Sequence, residues 1–352
     1  MKRENEAYYT DFEIVENLSD FFPKFLDKND LKILEPSVGE GAYVSKIFEK
    51  YSDKNISFDA VDIDKNALKK LKKKFKNLKI INEDFLKYNF GKHYDLVIGN
   101  PPFSKAREFL EKCLTLSDYV VMILPKTFLS SEKFRRTREF LENYRVEKIV
   151  DLKENGFKNV KIETICVFIN LKEKLNRKQK YFSDKKFPYW LIYRNKKFDK
   201  ILGSLELGVF DVFRDRDLKN EMLSSEKSEE KSIWVLRSKN ITKDGLKHID
   251  GYDKYISKAE LRGSKAIKFL KRETYILPNL SGEIRVIKKP KGVVCNGSVA
   301  MLVPKNVDRI NEKHLEYFSS SEFKEFFEIA TNKMSRSRNI DKNSVYFFGI
   351  KK

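Results

Sequence analysis

Cysteine is scarce: three occur in 352 residues, Cys113, Cys166 and Cys295, and no two stand at a Cys-x-x-Cys spacing. That argues against a disulfide framework and against a zinc knuckle, and fits a reducing compartment. Histidine is as sparse. His93, His248 and His314 form no i,i+4 pair, so no metal centre is expected. The start, Met1-Lys2-Arg3-Glu4-Asn5-Glu6, lacks the apolar core of a signal peptide, and no run approaches the roughly 20 apolar residues of a membrane span. A soluble, cytoplasmic protein without a membrane partner is the expectation.

Basic charge, by contrast, is plentiful. Lys plus Arg number 72 against 52 Asp plus Glu, a formal charge of +20, which should draw the chain to polyanions, nucleic acid first. A Lys-, Asn- and Ile-heavy genome would leave the same mark. The length suits two domains, and an apolar fraction of 41% suffices for each to bury a core.

From residue 30 to about 170, short apolar runs alternate with amphipathic stretches, the pattern of a parallel sheet with crossover helices. The predicted strands are Leu31 to Glu35, Ser57 to Asp62, Leu78 to Ile81, Asp95 to Ile98, Tyr119 to Leu124, Lys148 to Leu152 and Thr164 to Ile169. Asn66 to Phe75 reads as a helix between two of them. Asp11 to Leu26 reads as a leading helix, because Phe12, Val15, Leu18 and Phe22 recur at spacings of three and four. Beyond residue 170 the texture turns basic and irregular, which puts the domain boundary at 172/173.

The strand ends carry the chemistry. Ile33-Leu34-Glu35-Pro36-Ser37-Val38-Gly39-Glu40-Gly41-Ala42 ends a strand and opens a helix, with glycines that let the backbone turn tightly against a ligand. Nucleotide-binding folds and plain tight turns share that shape. Roughly twenty residues downstream, Ala60-Val61-Asp62-Ile63-Asp64 places a carboxylate where it can accept both hydroxyls of a ribose. Asp64 better suits a helix N-cap. Asn82-Glu83-Asp84-Phe85 follows the third strand.

Asp95-Leu96-Val97-Ile98-Gly99-Asn100-Pro101-Pro102-Phe103 runs from an apolar strand straight into Asn-Pro-Pro-aromatic. Two prolines fix the backbone and withhold two amide donors, so local carbonyls can face a substrate as acceptors. An exocyclic amine offers two N–H donors. Accepted by the Asn100 side-chain oxygen and the Pro101 carbonyl, they would aim the nitrogen lone pair at an electrophile, with proximity and orientation supplying most of the rate. Phe103 adds a flat face for a base taken out of its stack. A Pro-Pro turn with a core aromatic is the bland alternative.

In this order the motifs resemble the gamma class of DNA adenine-N6 methyltransferases of restriction-modification systems, the Taq type, over most of residues 8 to 170. The resemblance implies an α/β fold: a Rossmann-like class I methyltransferase domain, with a mostly parallel seven-stranded sheet, over 1–172, and an α+β target-recognition domain over 173–352. It implies S-adenosyl-L-methionine as cofactor and N6 of a flipped-out adenine in double-stranded DNA as the methyl acceptor. By that likeness Thr10, in Tyr8-Tyr9-Thr10, touches the methionine part, and Glu35 lies near it with Pro36, Gly39 and Gly41 completing the turn. Asp62 takes the ribose, Ile63 packs on the cofactor adenine, and Asp84 accepts its amine with Phe85 alongside. Phe109, in Phe109-Leu110-Glu111-Lys112-Cys113, lines the same pocket, and Asn100 and Pro102 border the cofactor. The catalytic set is Asn100, Pro101, Pro102 and Phe103, with Phe157 of Asn155-Gly156-Phe157 as the second aromatic wall or, alternatively, a loop-to-core anchor. Val121 to Leu129 matches the later strand and its Pro turn.

Two departures stand out. Only Ser104 to Glu108 join the tetrapeptide to the Phe109 segment, where a member of the family carries a longer insertion, so loss of a catalytic-domain contact with DNA is the expectation. Phe103 replaces the commoner Tyr, which keeps the stacking face and drops a hydroxyl.

Ser232 to Gly245 looks like the opening of a target-recognition domain of the kind shared with restriction specificity subunits, and His314 to Phe323 like its late helix. Lys288, Lys289 and Lys291 around Pro290, with Arg336 and Arg338, are candidates for phosphate or base contact, each equally readable as a solvated basic loop. A monomer is expected, paired with a separate endonuclease or orphaned. Competing readings are an rRNA base methyltransferase, a protein glutamine methyltransferase, a cytosine-N4 enzyme and a non-catalytic recognition subunit.

Overall fold

Strands buried on both faces read as unbroken apolar runs, and the seven runs singled out in the sequence form one sheet. The computed structural model describes residues 10–22, 28–154, 162–174, 187–242, 245–279, 284–334 and 339–352. The strands are β1 (Asp30–Glu35), β2 (Asn55–Val61), β3 (Leu78–Ile81), β4 (Tyr94–Gly99), β5 (Ser117–Pro125), β6 (Tyr144–Lys153) and β7 (Thr164–Lys174). Their spatial order is β3-β2-β1-β4-β5-β7-β6. All pairings from β3 to β5 are parallel, whereas β7 runs antiparallel to both β5 and β6. The order reverses between β1 and β4, and ligands of such sheets bind outside the carboxyl ends of the strands at that switch point. Glu35 ends β1 and Asn100 comes directly after β4.

Crossover helices come after β1, β2 and β4: α2 (Ala42–Lys50), α3 (Lys65–Lys74) and α4 (Ala106–Leu116), preceded in the chain by α1 (Phe12–Ser19). α5 (Arg135–Leu141) leads into β6. Asp64 caps α3 as expected, accepting the Asn66 and Ala67 N–H groups at 2.8 and 3.2 Å. α1 is shorter than expected. It stops at Ser19, and Phe22, although buried, precedes Pro23, a position biased away from helical torsions. Below the strand ends, Asp59 of β2 is buried and accepts from Lys92 Nζ and the Tyr94 hydroxyl, both at 2.9 Å. These bonds offset the desolvation of its charge.

Contacts divide the chain into two units, Met1–Trp190 and Leu191–Lys352, a later division than the expected 172/173. The physical reason is that Trp190, well beyond β7, is anchored to the first unit. Its N–H donates to the Leu129 carbonyl, its indole N–H to Glu142, and its ring stands edge-on to Phe128. The second unit is of the α+β kind. One antiparallel sheet orders Ile287–Lys288, Tyr275–Pro278, Val299–Pro304 and Phe210–Phe213, and a smaller sheet orders Lys254–Ile256, Ile233–Leu236 and Val294–Cys295. The expected late helix is two, Glu312–Phe318 and Ser321–Ala330, whose Phe318, Phe323 and Phe327 rings contact Phe348.

Candidate active site

The turn after β1 is built to hold a ligand. Glu35 is 2% exposed, and its Oε2 has no hydrogen-bond partner among the described residues. Burial pushes its carboxyl pKa well above the usual range, and the nearby Asp62 charge adds to the effect. In its ionised form the group is acceptor-only, and leaving it so is costly unless a cationic donor completes it. Gly41 then opens α2 at φ +77°, and a Cβ there would fall 2.2 Å from Leu71 Cδ1, so any side chain would be strained and would have to displace Leu71. A Cβ on Gly99 would lie 3.2 Å from Cδ of Pro36. The bare backbone thus lets the ends of β1 and β4 run side by side.

Asp62 comes directly after β2 and faces the same turn. Its Oδ2 accepts the Gly39 N–H and its Oδ1 the Asp64 N–H, both at 2.9 Å. Each carboxylate oxygen retains a second lone pair, enough for a ribose hydroxyl apiece. Asn82 Nδ2 donates to the Asp62 carbonyl at 3.0 Å and the Ile63 carbonyl at 3.2 Å, tying this loop to the end of β3. Ile63 is 67% exposed. An aliphatic side chain held out on a braced loop beside Asp62 suits the face of a planar ring.

After β3, Asp84 closes a short turn. Its Oδ1 accepts the Leu86 N–H at 2.9 Å, and its carbonyl accepts the Lys87 and Tyr88 N–H groups. Phe85 is buried against Phe109 of α4, ring centres 4.9 Å apart and tilted by 36°. Two segments that the sequence nominated separately therefore meet in one aromatic wall.

At the end of β4, Asn100 is held twice. Its carbonyl accepts the Ser37 hydroxyl at 3.0 Å, and its Nδ2 donates to Thr10 Oγ1 at 3.2 Å. With the donor end committed to Thr10, the amide presents its oxygen as the acceptor. Lys105 N–H occupies the Pro102 carbonyl at 2.9 Å, while no described N–H is bonded to the Pro101 carbonyl. Phe103 is half-buried against the apolar core beneath. Phe157, like Arg336 and Arg338, lies outside the described residues.

Sequence reasoning missed Ser37 and Asn82, whose roles depend on partners distant in the chain. It also missed Lys126, the one charge inside Val121 to Leu129, where a lone charge in an apolar run is itself a signal of buried pairing. Lys126 is buried with its Nζ 2.7 Å from Asp151 and 3.9 Å from Glu163. Lys126→Ala strips the shared cation from the buried Glu163 and the half-buried Asp151. It is expected to cost the first unit about 3–5 kcal/mol, read calorimetrically as a lower Tm; an unchanged Tm would dismiss the pair as structural support.

Of the basic candidates in the second unit, Lys288 is exposed and pairs with Glu273 at 2.9 Å, and Lys291 is exposed on a turn. Lys289 is different: it is 2% exposed, its Nζ donating to the Pro290 and Val293 carbonyls at 2.9 and 3.2 Å. Its ammonium braces that turn, which removes it from the solvent-facing set. All three cysteines are buried, and burial pushes their thiols up, Cys295 to about 12, so none is a ready nucleophile. Among the described residues no group of three His, Cys, Asp or Glu could hold a metal, and no helix is long and apolar enough to cross a membrane.

Comparison with known proteins gives three kinds of likeness. A family model described as ribosomal RNA adenine dimethylase matches residues 13–135. The modification methylase CviBIII of Paramecium bursaria Chlorella virus NC1A is 28% identical over 162 residues, 40% of this chain and 43% of that protein. The type II methyltransferase M.CvrRI of Paramecium bursaria Chlorella virus XZ-6E is 30% identical over 179 residues, 44% of each. The match thus spans less than half the length of either viral protein. Among solved structures, a type I restriction-modification system methyltransferase subunit from Streptococcus thermophilus aligns with a TM-score of 0.42 and 15% identity, over 56% of this chain and 52% of that one. The orphaned Glu35 oxygen, the Asp62 carboxylate with the exposed Ile63 beside it, and the Asp84 turn all fit S-adenosyl-L-methionine, the cofactor that this fold and family model imply. The first unit, with its seven-stranded sheet and antiparallel β7, has the fold of the class I S-adenosylmethionine-dependent methyltransferases.

Proposed function

We propose that the chain methylates N6 of adenine in double-stranded DNA, as the modification enzyme of a restriction-modification system or as an orphan methylase. The observation that carries this reading is the placement of Asn100-Pro101-Pro102-Phe103 at the end of β4, bonded through Ser37 to the turn after β1 that Glu35 opens and through Thr10 to the segment before α1. S-adenosylmethionine supplies an electrophilic methyl group when bound. Glu35 meets its ammonium, Asp62 its ribose, Ile63 and the Phe85–Phe109 wall its adenine ring, and Asp84 its adenine amine. Thr10, Pro36, Gly39, Gly41 and Pro102 complete the cradle.

The Asn100 amide oxygen and the Pro101 carbonyl accept the two N–H groups of the target amine and hold its lone pair toward the methyl. Neither acceptor is a strong base. The amine would take the methyl with its own lone pair as the methyl–sulfur bond breaks, S-adenosylhomocysteine being left as the neutral product, and would shed a proton to water afterwards, so orientation carries the catalysis. Phe103 and Phe157 stack the flipped base. The second unit reads the target sequence, with Lys288, Lys291, Arg336 and Arg338 as contacts to the duplex. A monomer acting beside a separate endonuclease fits the reading.

The match to the rRNA adenine dimethylase model favours one second reading, methylation of a base in rRNA. Incubation with labelled S-adenosylmethionine and either duplex DNA or rRNA, then digestion to nucleosides, separates the two. N6-methyldeoxyadenosine from duplex DNA is the expected product, with uptake falling steeply as salt is raised because phosphate contacts release counterions. Labelled ribonucleosides with unlabelled DNA would overturn it.

A further inference from the structure

Lys112 stands on α4 three residues after Phe109, so both point to the same side of the helix. Its Nζ donates to three main-chain carbonyls of the segment after β3: Phe85 at 2.6 Å, Leu86 at 3.2 Å and Tyr88 at 2.6 Å. An ammonium has three N–H donors, and one short segment takes all of them. The same nitrogen lies 5.0 and 5.3 Å from the centres of the Phe85 and Phe90 rings, an attractive contact with their π faces.

One of these bonds bears directly on Asp84. The Phe85 carbonyl and the Leu86 N–H belong to a single planar trans peptide unit and point in opposite directions. Lys112 holds the oxygen end of that unit, and the N–H end donates to Asp84 Oδ1 at 2.9 Å. The chain of contacts is therefore ammonium, peptide plane, carboxylate. Burial lowers the Lys112 pKa, opposed by the neighbouring Cys113 and Asp84.

We propose that Lys112 is a positioning residue for the cofactor: by fixing the Phe85–Leu86 peptide it aims the Asp84 carboxylate at the exocyclic amine of the cofactor's adenine. The proposal rests on the assignment of Asp84 to that amine. No contact between Lys112 and the cofactor is required. Its effect is selective for the amine and leaves the ribose and methionine ends, held from β1 and β2, untouched.

Calorimetric titration with S-adenosylhomocysteine and with its 6-deaminated counterpart, in which hydrogen replaces the adenine amine, tests this. The wild-type protein is expected to prefer the amine-bearing compound by about 10- to 100-fold, the usual worth of a hydrogen bond to a charged group. In Lys112→Met the affinity for S-adenosylhomocysteine falls about tenfold and that for the deaminated compound by about twofold or less, so the preference collapses. Lys112→Arg, with donors to spare, restores most of it. An unchanged preference would overturn the proposal, whether both affinities stay at the wild-type values or both fall together, the latter marking Lys112 as merely structural. If Lys112→Met does not fold, Lys112→Gln carries the same comparison with the same overturning results. A wild-type protein indifferent to the amine sinks the assignment of Asp84 instead.

Discussion

Asn100→Ala is expected to lower kcat for methyl transfer by about a thousandfold, some 4 kcal/mol of barrier, while the Kd for S-adenosylhomocysteine stays within about threefold of wild type. The selectivity comes from which atoms are lost. The bond from Ser37 goes to the Asn100 main-chain carbonyl, which alanine keeps, and the two prolines still fix the path of the chain. Glu35, Asp62 and Asp84 keep their geometry, because the bonds that hold the two aspartates come from Gly39, Asp64 and Leu86 rather than from the Asn100 amide. What disappears is the acceptor that orients the target amine, together with the donor that Thr10 receives. Single-turnover kinetics with saturating cofactor isolate the step. Activity within tenfold of wild type would dismiss the orienting role, and a collapse of cofactor affinity would move Asn100 into the cofactor site.

Glu35→Gln is expected to act with opposite signs on the free protein and on binding. Burial raises the Glu35 pKa, so the folded state binds a proton there more tightly than the unfolded chain does. The stabilisation from this group is complete below the unfolded pKa, near 4.5, and is lost as pH rises through the folded value. Glutamine never ionises. The variant should therefore match wild type near pH 4.5 and melt several degrees higher at pH 7, reflecting about 1–3 kcal/mol of relieved burial. Cofactor affinity at pH 7 should fall about 10- to 100-fold, because an ammonium loses its anionic partner. The acid-side weakening of binding expected of wild type should flatten. A variant that melts lower at pH 7, or binds as tightly, would remove Glu35 from the cofactor site.

The parallel half of the sheet is legible in the sequence because double-sided burial leaves no ambiguity. Leu78–Ile81 is bounded to the residue, and Tyr94–Gly99 is buried throughout. β6 is longer than its apolar run because its first half alternates charged residues with apolar ones at a sheet edge, and β7 because its polar end, Leu171 to Lys174, leaves the core. Phe85 and Phe109, from two segments that stand out in the sequence, meet in one wall. Long-range partners are not legible. Nothing local in Ser37, Thr10 or Lys112 foretells a bond to a residue tens of positions away, and Lys289 sits in a basic run whose members look alike. There, strand alternation decides: Lys288 faces out, and Lys289, whose N–H bonds to Thr274, turns in.

The antiparallel β7 also sets a timetable for synthesis. It lies between β5 and β6, yet it is the last of the seven to leave the ribosome, and among the described residues β6 pairs with no other strand. Until residue 174 emerges, β5 presents a bare apolar edge and β6 has nowhere to dock. A nascent chain paused near residue 160 would thus carry five paired strands with an open side, the condition that invites association with other unfinished chains or with chaperones. Slower translation across the codons for 150–175 is therefore expected to lengthen the time this edge stays open and to lower the soluble yield.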